Sequence, residues 1–350
     1  MARDMTKGRI LPQMTAFAIP LILGNLFQIL YNATDSIIVG KFVGDDALAA
    51  VGTAGPIMNM AILFISGMCM GAGILMSTLY GAKDMKNLEK QISTTLIGGL
   101  VFSLLIAFLM IVFAVPILRL INSPEEIIGS AAIYLRVVFL GLIFTFVYNF
   151  LANTLRALGD SRTPLYFLVI SAFLNVAGDL LFVVTLKLGV MGSAVATVLS
   201  EALCCVCCGI YVKLKVPVLC LGKKWRVFER RVLWKTFSYG ITSALQQMCV
   251  QLGKILVQAI INVQGVAFIA AFTAINRVDD FVLSPEGNIA HATTTFIAQN
   301  RGAGDVERVK KGYRCGIIME LIFSVAVSII VFFAAAPLMK MFVAAWSIIS

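Results

Sequence analysis

Two aspartates in this chain sit where an apolar stretch leaves little reason for a charge. Asp35 lies six residues before Lys41 in one such stretch, and Asp179 lies eight residues before Lys187 in another. At 1.5 Å per helical residue they are about 9 Å and about 12 Å below the ends those lysines mark. The following stretch re-enters at Gly189 and reaches Thr197 at a comparable depth, again about 12 Å. Asn175 is one turn from Asp179 on the same helix face. Two carboxyls, an amide and a hydroxyl at matching depth suit a hard monovalent cation or an exchangeable proton, since two nearby acids in low dielectric do not both ionise cheaply. The plainer alternative, in which each polar group pins neighbouring helices, fits Asn175 and Thr197 better than the acids. An acid at the bilayer centre costs at least about 2.5–3.5 kcal/mol on insertion scales, so it faces protein or water.

The elements that must position these groups follow from composition. Of 350 residues, 60% are hydrophobic and 13% charged, and the mean hydropathy is +0.94. Soluble domains carry about a quarter charged residues, so an ordinary soluble enzyme is excluded and the fold class is an all-α polytopic membrane protein. Apolar segments fall at about 14–40, 49–79, 91–118, 127–155, 164–186, 189–212, 233–262, 266–299 and 312–338, giving about nine spans. The eighth is the weakest, being interrupted by Arg277, Asp279, Asp280, Glu286 and His291.

Alternating sides from an inside amino terminus places Arg3, Lys7, Arg9, Lys83, Lys86, Lys90, Arg156, Arg162, eight basic residues in 213–235, and Arg301, Arg308, Lys310, Lys311 and Arg314 together. Only Lys41, Arg119, Lys187 and Lys340 fall outside. Basic loops mark the cytoplasmic side, so the amino terminus is expected in the cytoplasm and the chain in the cell's inner membrane. The formal net charge of +10 is then an orienting signal, and the expected partners are the lipid bilayer and small organic molecules, with no nucleic acid. The start, MARDMTKGRILPQM, has no cleavable signal pattern. Cys204, Cys205, Cys207 and Cys208 read as a helix wall, and no metal site is expected.

An internal repeat organises the chain. LAAVG at 48–52 aligns with IAAFT at 269–273, GAKD at 81–84 with GAGD at 302–305, and Lys90 with Lys311, all at an offset of 221 residues. A six-helix unit inserted twice in the same orientation gives two lobes about an axis along the membrane normal. The expected organisation is an amino-terminal lobe at 1–214, a basic cytoplasmic linker at 215–232 and a partial carboxy-terminal lobe at 233–350. Doubling the repeat carries the second copy to about residue 442, so only three of its six spans are expected here.

Further residues carry secondary readings. Glu201, one turn past Thr197, reads as a helix-packing acid or a further site residue, and Lys254 as an intramembrane base able to lift its ammonium toward water. Arg277, Asp279 and Asp280 read as an internal ion-pair network; Asp279 and Glu286 remain secondary site candidates. His291, the single histidine, reads as an interior residue. Pro20, fifteen residues before Asp35, permits a kink and is a candidate hinge.

LYNATDSIIVGKFVGDDALAAVG near the start, RALGDSRTP after the fourth span and FIAQNRGAGD in the second copy together resemble the MATE (multidrug and toxic compound extrusion) family, over about residues 10–343. The resemblance implies a twelve-helix, two-lobe antiporter that exchanges Na⁺ or H⁺ for drugs, with no other cofactor, monomeric when full length. In the DinF-like branch it implies a cation site at Asp35, Asn175, Asp179 and Thr197 and a bending proline at Pro20. The expected activity is export of amphipathic or cationic compounds. A lipid-linked oligosaccharide flippase of the same superfamily is the alternative, disfavoured because only Arg136, Lys254 and Arg277 are basic within spans. A non-transporting truncated fragment is a further alternative. No HExxH, serine-nucleophile or redox-pair motif supports an enzyme.

Overall fold

The computed structural model describes residues 4–121, 123–216, 227–262 and 285–349. These are helical almost throughout: α1 (Ile10–Phe42), α2 (Asp45–Gly81), α3 (Met85–Leu120), α4 (Glu125–Ala157), α5 (Arg162–Asp179), α6 (Gly189–Lys215), α7 (Arg230–Asn262), α8 (285–302) and α9 (Val306–Ile349). Seven are long and apolar enough to cross a membrane: α1 to α6 and α9. Helix α7 is more polar, with Gln246, Gln247 and Lys254 along its length. It packs closely on α2 instead of standing in lipid alone. The Arg277–Asp280 cluster, including Asp279, lies outside the described residues.

Helix α4 is the axle of the first six. Tyr134, Leu135, Phe139, Leu142 and Phe146 are buried along it, against α2, α3 and α6. The outward faces of α3 and α9 stay apolar, with Val101, Leu104 and Phe108, and Ile318, Ile322 and Val325, exposed as a lipid-facing surface requires. Helix α1 runs unbroken across the buried Pro20. The tail of the linker is fastened: Val227 N donates to Ser93 Oγ at 3.1 Å, Glu229 N to Thr94 Oγ1 at 3.2 Å, and Lys90 pairs with Glu229 at 3.4 Å.

The 221-residue register is reproduced bond for bond in two turns. Ala82 N donates to Thr78 O and Ala303 N to Gln299 O; Asp84 N to Leu79 O and Asp305 N to Asn300 O; Leu88 N to Asp84 O and Val309 N to Asp305 O. Each turn then caps the next helix with its aspartate: Asp84 Oδ1 accepts from Asn87 N at 3.2 Å, and Asp305 Oδ1 from Arg308 N at 2.9 Å. The left-handed position is Lys83 in one turn (φ 57°) and Gly304 in the other (φ 77°).

These turns sit where α2 and α8 cross. A Cβ on Gly81 would fall 1.8 Å from the Gln299 carbonyl oxygen, and one on Gly302 would fall 1.9 Å from that of Thr78. Gly81 and Gly302, like Thr78 and Gln299, are related by the repeat offset, so this is an isologous contact within one chain. Farther along α2, Gly67 meets the Ala244 backbone and Gly71 that of Gly240, a small-residue crossing with α7. The amino-terminal segment closes the same face. Met5 N donates to Gln299 Oε1 at 3.0 Å, Asn300 Nδ2 to Met5 O at 3.2 Å, and the Arg308 guanidinium to Met5 O and to Gly8 O at 2.8 Å.

Candidate cation site

Three helices bring the sequence-predicted quartet together. Gly178 on α5 lies against Ala196 on α6, where an added Cβ would stand 3.0 Å from the Ala196 Cβ, and Gly192 lies against the Phe182 carbonyl. This close approach lets Asn175 Nδ2 donate to Thr197 Oγ1 at 3.2 Å. Helix α1 supplies Asp35, whose Oδ1 accepts from Ser193 Oγ on α6 at 2.7 Å. The Asp35 and Asp179 carboxyls face one another within reach of a shared proton. Tyr134 of α4 stands within electrostatic range of both.

What distinguishes the site is unmet demand. Asp179 is fully buried and Asn175 nearly so. Among the described residues, neither carboxyl oxygen of Asp179 and not the amide oxygen of Asn175 meets a donor. An unsatisfied buried acceptor costs about 1–3 kcal/mol, more when charged. Three such oxygens on one helix face, beside the Asp35 carboxyl, call for a positive guest: a proton between the carboxyls or a small oxygen-seeking cation.

Sequence reasoning missed two parts. Ser193 is one turn before Thr197, and its type and spacing were legible, but a serine on a helix signals little by itself. The other is a widened turn of π-helix over Leu180–Thr185 directly after Asp179, of a kind frequent at functional sites. Its apolar sequence LLFVVT carries no warning.

The remaining candidates lie apart. Glu201 accepts a hydrogen bond from Thr145 Oγ1 and so ties α6 to α4. Lys254 is half-buried on α7. Glu286 on α8 accepts from Ser324 Oγ on α9 at 3.3 Å. His291 lines a cavity between α8 and α4. No cluster of metal-ligating side chains occurs among the described residues, and Cys204 instead donates to the Phe167 carbonyl at 3.2 Å.

RALGDSRTP resolves as the α4–α5 corner. Gly159 takes φ 85°, and Asp160 caps α5 by accepting from Arg162 N and Thr163 N through Oδ1 and from Thr163 Oγ1 through Oδ2.

Comparison with known proteins matches this architecture. The family described as MatE matches residues 20–181 and 242–350. The chain is 30% identical over 346 residues to the probable multidrug resistance protein YoeA of Bacillus subtilis, covering 96% of this chain and 74% of that one. It is 31% identical over 311 residues to YpnP of the same organism, likewise a probable multidrug resistance protein, covering 88% and 69%. Among solved structures, the outward-facing conformation of a multidrug resistance MATE family transporter of the MOP superfamily superposes with a TM-score of 0.89 at 24% identity, over 99% of this chain and 77% of the other.

Proposed function

The chain belongs to the MatE family of membrane transporters, and on that premise we propose that it exports amphipathic, cationic organic compounds in exchange for Na⁺ or H⁺. The coupling ion is taken up at Asp35, Asn175 and Asp179, with Thr197 and Ser193 fixing two of those side chains. The amino terminus lies in the cytoplasm of a multi-span protein of the cell's inner membrane.

The observation that carries this reading is the trio of buried, donorless oxygens on Asn175 and Asp179. A guest there is bound by α1, α5 and α6 at once. It can shift the transporter's conformations only by its differential affinity for them. Binding that draws Asp35 toward Asp179 moves α1, which also meets α8 and α9 at the closed face, where Met14, Phe17, Ala18 and Leu21 pack against Ile289, Ala292 and Phe296. The α2–α8 crossing at the same face is glycine-mediated contact that either forms closely or parts, a two-state element suited to alternating access.

The test is uptake of a fluorescent cationic dye into inside-out vesicles, with pH and sodium gradients imposed separately. One gradient is expected to drive dye accumulation, and Asp35→Asn or Asp179→Asn to abolish it at equal expression. Transport indifferent to both gradients, or retained in both variants, overturns the assignment.

A further inference from the structure

Between α4 and α8, just inside the closed face, a cavity of about 90 Å³ is lined by Phe17 and Leu21 of α1, by Met70 and Ser77 of α2, by Arg156 of α4 and by His291 of α8. The Arg156 Nε is buried and meets no acceptor among the described residues. Arg156 forms no ion pair among them, and no acid lines the cavity. The nearby Tyr148 hydroxyl is committed to the Pro164 carbonyl at 3.0 Å. A guanidinium presents five donors in a rigid fork that matches a carboxylate in two places. Burying one without a counter-charge is costly. No described residue supplies the counter-charge, while the space to hold it is present.

We propose that this cavity binds the carboxylate of a small amphipathic anion, held by Arg156 and backed by His291, with the ligand's apolar body against Phe17, Leu21 and Met70. The space is enough for a small head group and not for a bulky drug. The walls come from α1, α2 and α4 on one side and α8 on the other, so the site is complete only while this face is closed. Its ligand therefore favours the closed form, independently of the cation site described above. The reading of Arg156 as one more positive loop residue does not account for its buried, unpartnered nitrogen.

The experiment is thermal unfolding of the full chain in lipid nanodiscs with benzoate, acetate or benzamide. Benzoate is expected to raise the unfolding temperature. Benzamide, which lacks the charge, and acetate, which lacks the apolar body, are expected to leave it nearly unchanged. Arg156→Gln is expected to weaken benzoate binding by about tenfold or more while unfolding no earlier than the parent without ligand. Arg156→Lys, which keeps the charge and loses the fork, is expected to fall between them and serves if the glutamine variant fails to fold. Acetate acting as strongly as benzoate removes the amphiphile from the proposal. A benzoate shift that survives in both variants, or no shift in the parent, overturns the site.

Discussion

The crossing of α2 with α8 and the acid site on α1, α5 and α6 treat the same duplication in opposite ways. At the crossing the two copies do one thing twice: Gly81 approaches Gln299 as Gly302 approaches Thr78, and the two turns share their hydrogen bonds at a constant offset. At the acid site the copies diverge. The position 221 residues after Asp35 is Leu256, two-thirds exposed on α7. Backbone geometry has been kept where the halves must meet, whereas the acid on α1 has no counterpart at the matching position on α7. Closure is therefore a property of the pair of copies, whereas the proposed cation site is built from α1, α5 and α6 of the first.

The sharpest consequence concerns that asymmetry. Asp179→Asn removes the negative charge while keeping the volume, and is expected to abolish gradient-driven dye transport with the protein still folded, because the trio of donorless oxygens loses one member. Leu256→Asp, which restores the symmetry on paper, is expected to rescue nothing in that background, since α7 presents an exposed position and no orphaned acceptors. Rescue in the vesicle assay would place cation chemistry in both copies.

Next comes the crossing. Gly302→Leu and Gly81→Leu each insert a side chain where even a Cβ would lie under 2 Å from a backbone oxygen. The face is expected to stay open in both, with similar loss of transport, because the contacts are equivalent. A cysteine cross-linking pair across α2 and α8 would report the separation directly. A variant that transports normally would show that this closure is dispensable. Overpacking usually costs about 1–3 kcal/mol; here the surrounding atoms are backbone and cannot yield.

Much of this was legible in the sequence because of what membranes penalise. Asp35 and Asp179 stand out since a charge among apolar residues demands a reason, and the structure brings them together with Asn175, Ser193 and Thr197. The repeat was legible because GAKD and GAGD preserve a turn whose chemistry needs an aspartate and a left-handed residue. The tertiary use of those glycines was not. Gly81 ends α2, but only its contact with Gln299, far along the chain, shows why a side chain is excluded there. Arg156 was hidden for the same reason: near a helix end it looks like an orienting charge, and its burial depends on α8.

A smaller effect sits at the α4–α5 corner, which belongs to the first copy. Burial alone would raise the Asp160 pKa, but hydrogen bonds from the Thr163 hydroxyl and amide hold it below the usual 3.8. A depressed folded value means that this stabilisation is present above the unfolded pKa and lost as pH falls through the folded one. Asp160→Ala, which removes the cap, is therefore expected to cost about 0.5–2 kcal/mol at neutral pH. That gap should narrow only when unfolding is measured below pH 3.8. A constant gap would mean that the charge of Asp160 contributes nothing.

The finest test returns to the paired turns, at the one place where they differ. Lys83 and Gly304 occupy the same left-handed position, which costs a residue with a Cβ about 1–2 kcal/mol and glycine almost nothing. Lys83→Gly should relieve that strain, less what is lost to the greater freedom of glycine in the unfolded chain, for a net gain of about 0.5 kcal/mol. Gly304→Lys should produce a loss of similar size, because the two turns share every backbone bond that sets the conformation. Equal and opposite shifts in unfolding temperature would mean that the turns are energetically interchangeable. If Lys83→Gly destabilises instead, the Lys83 side chain has a role in its own turn that the second copy has dispensed with, and the symmetry of this face would be one of backbone alone.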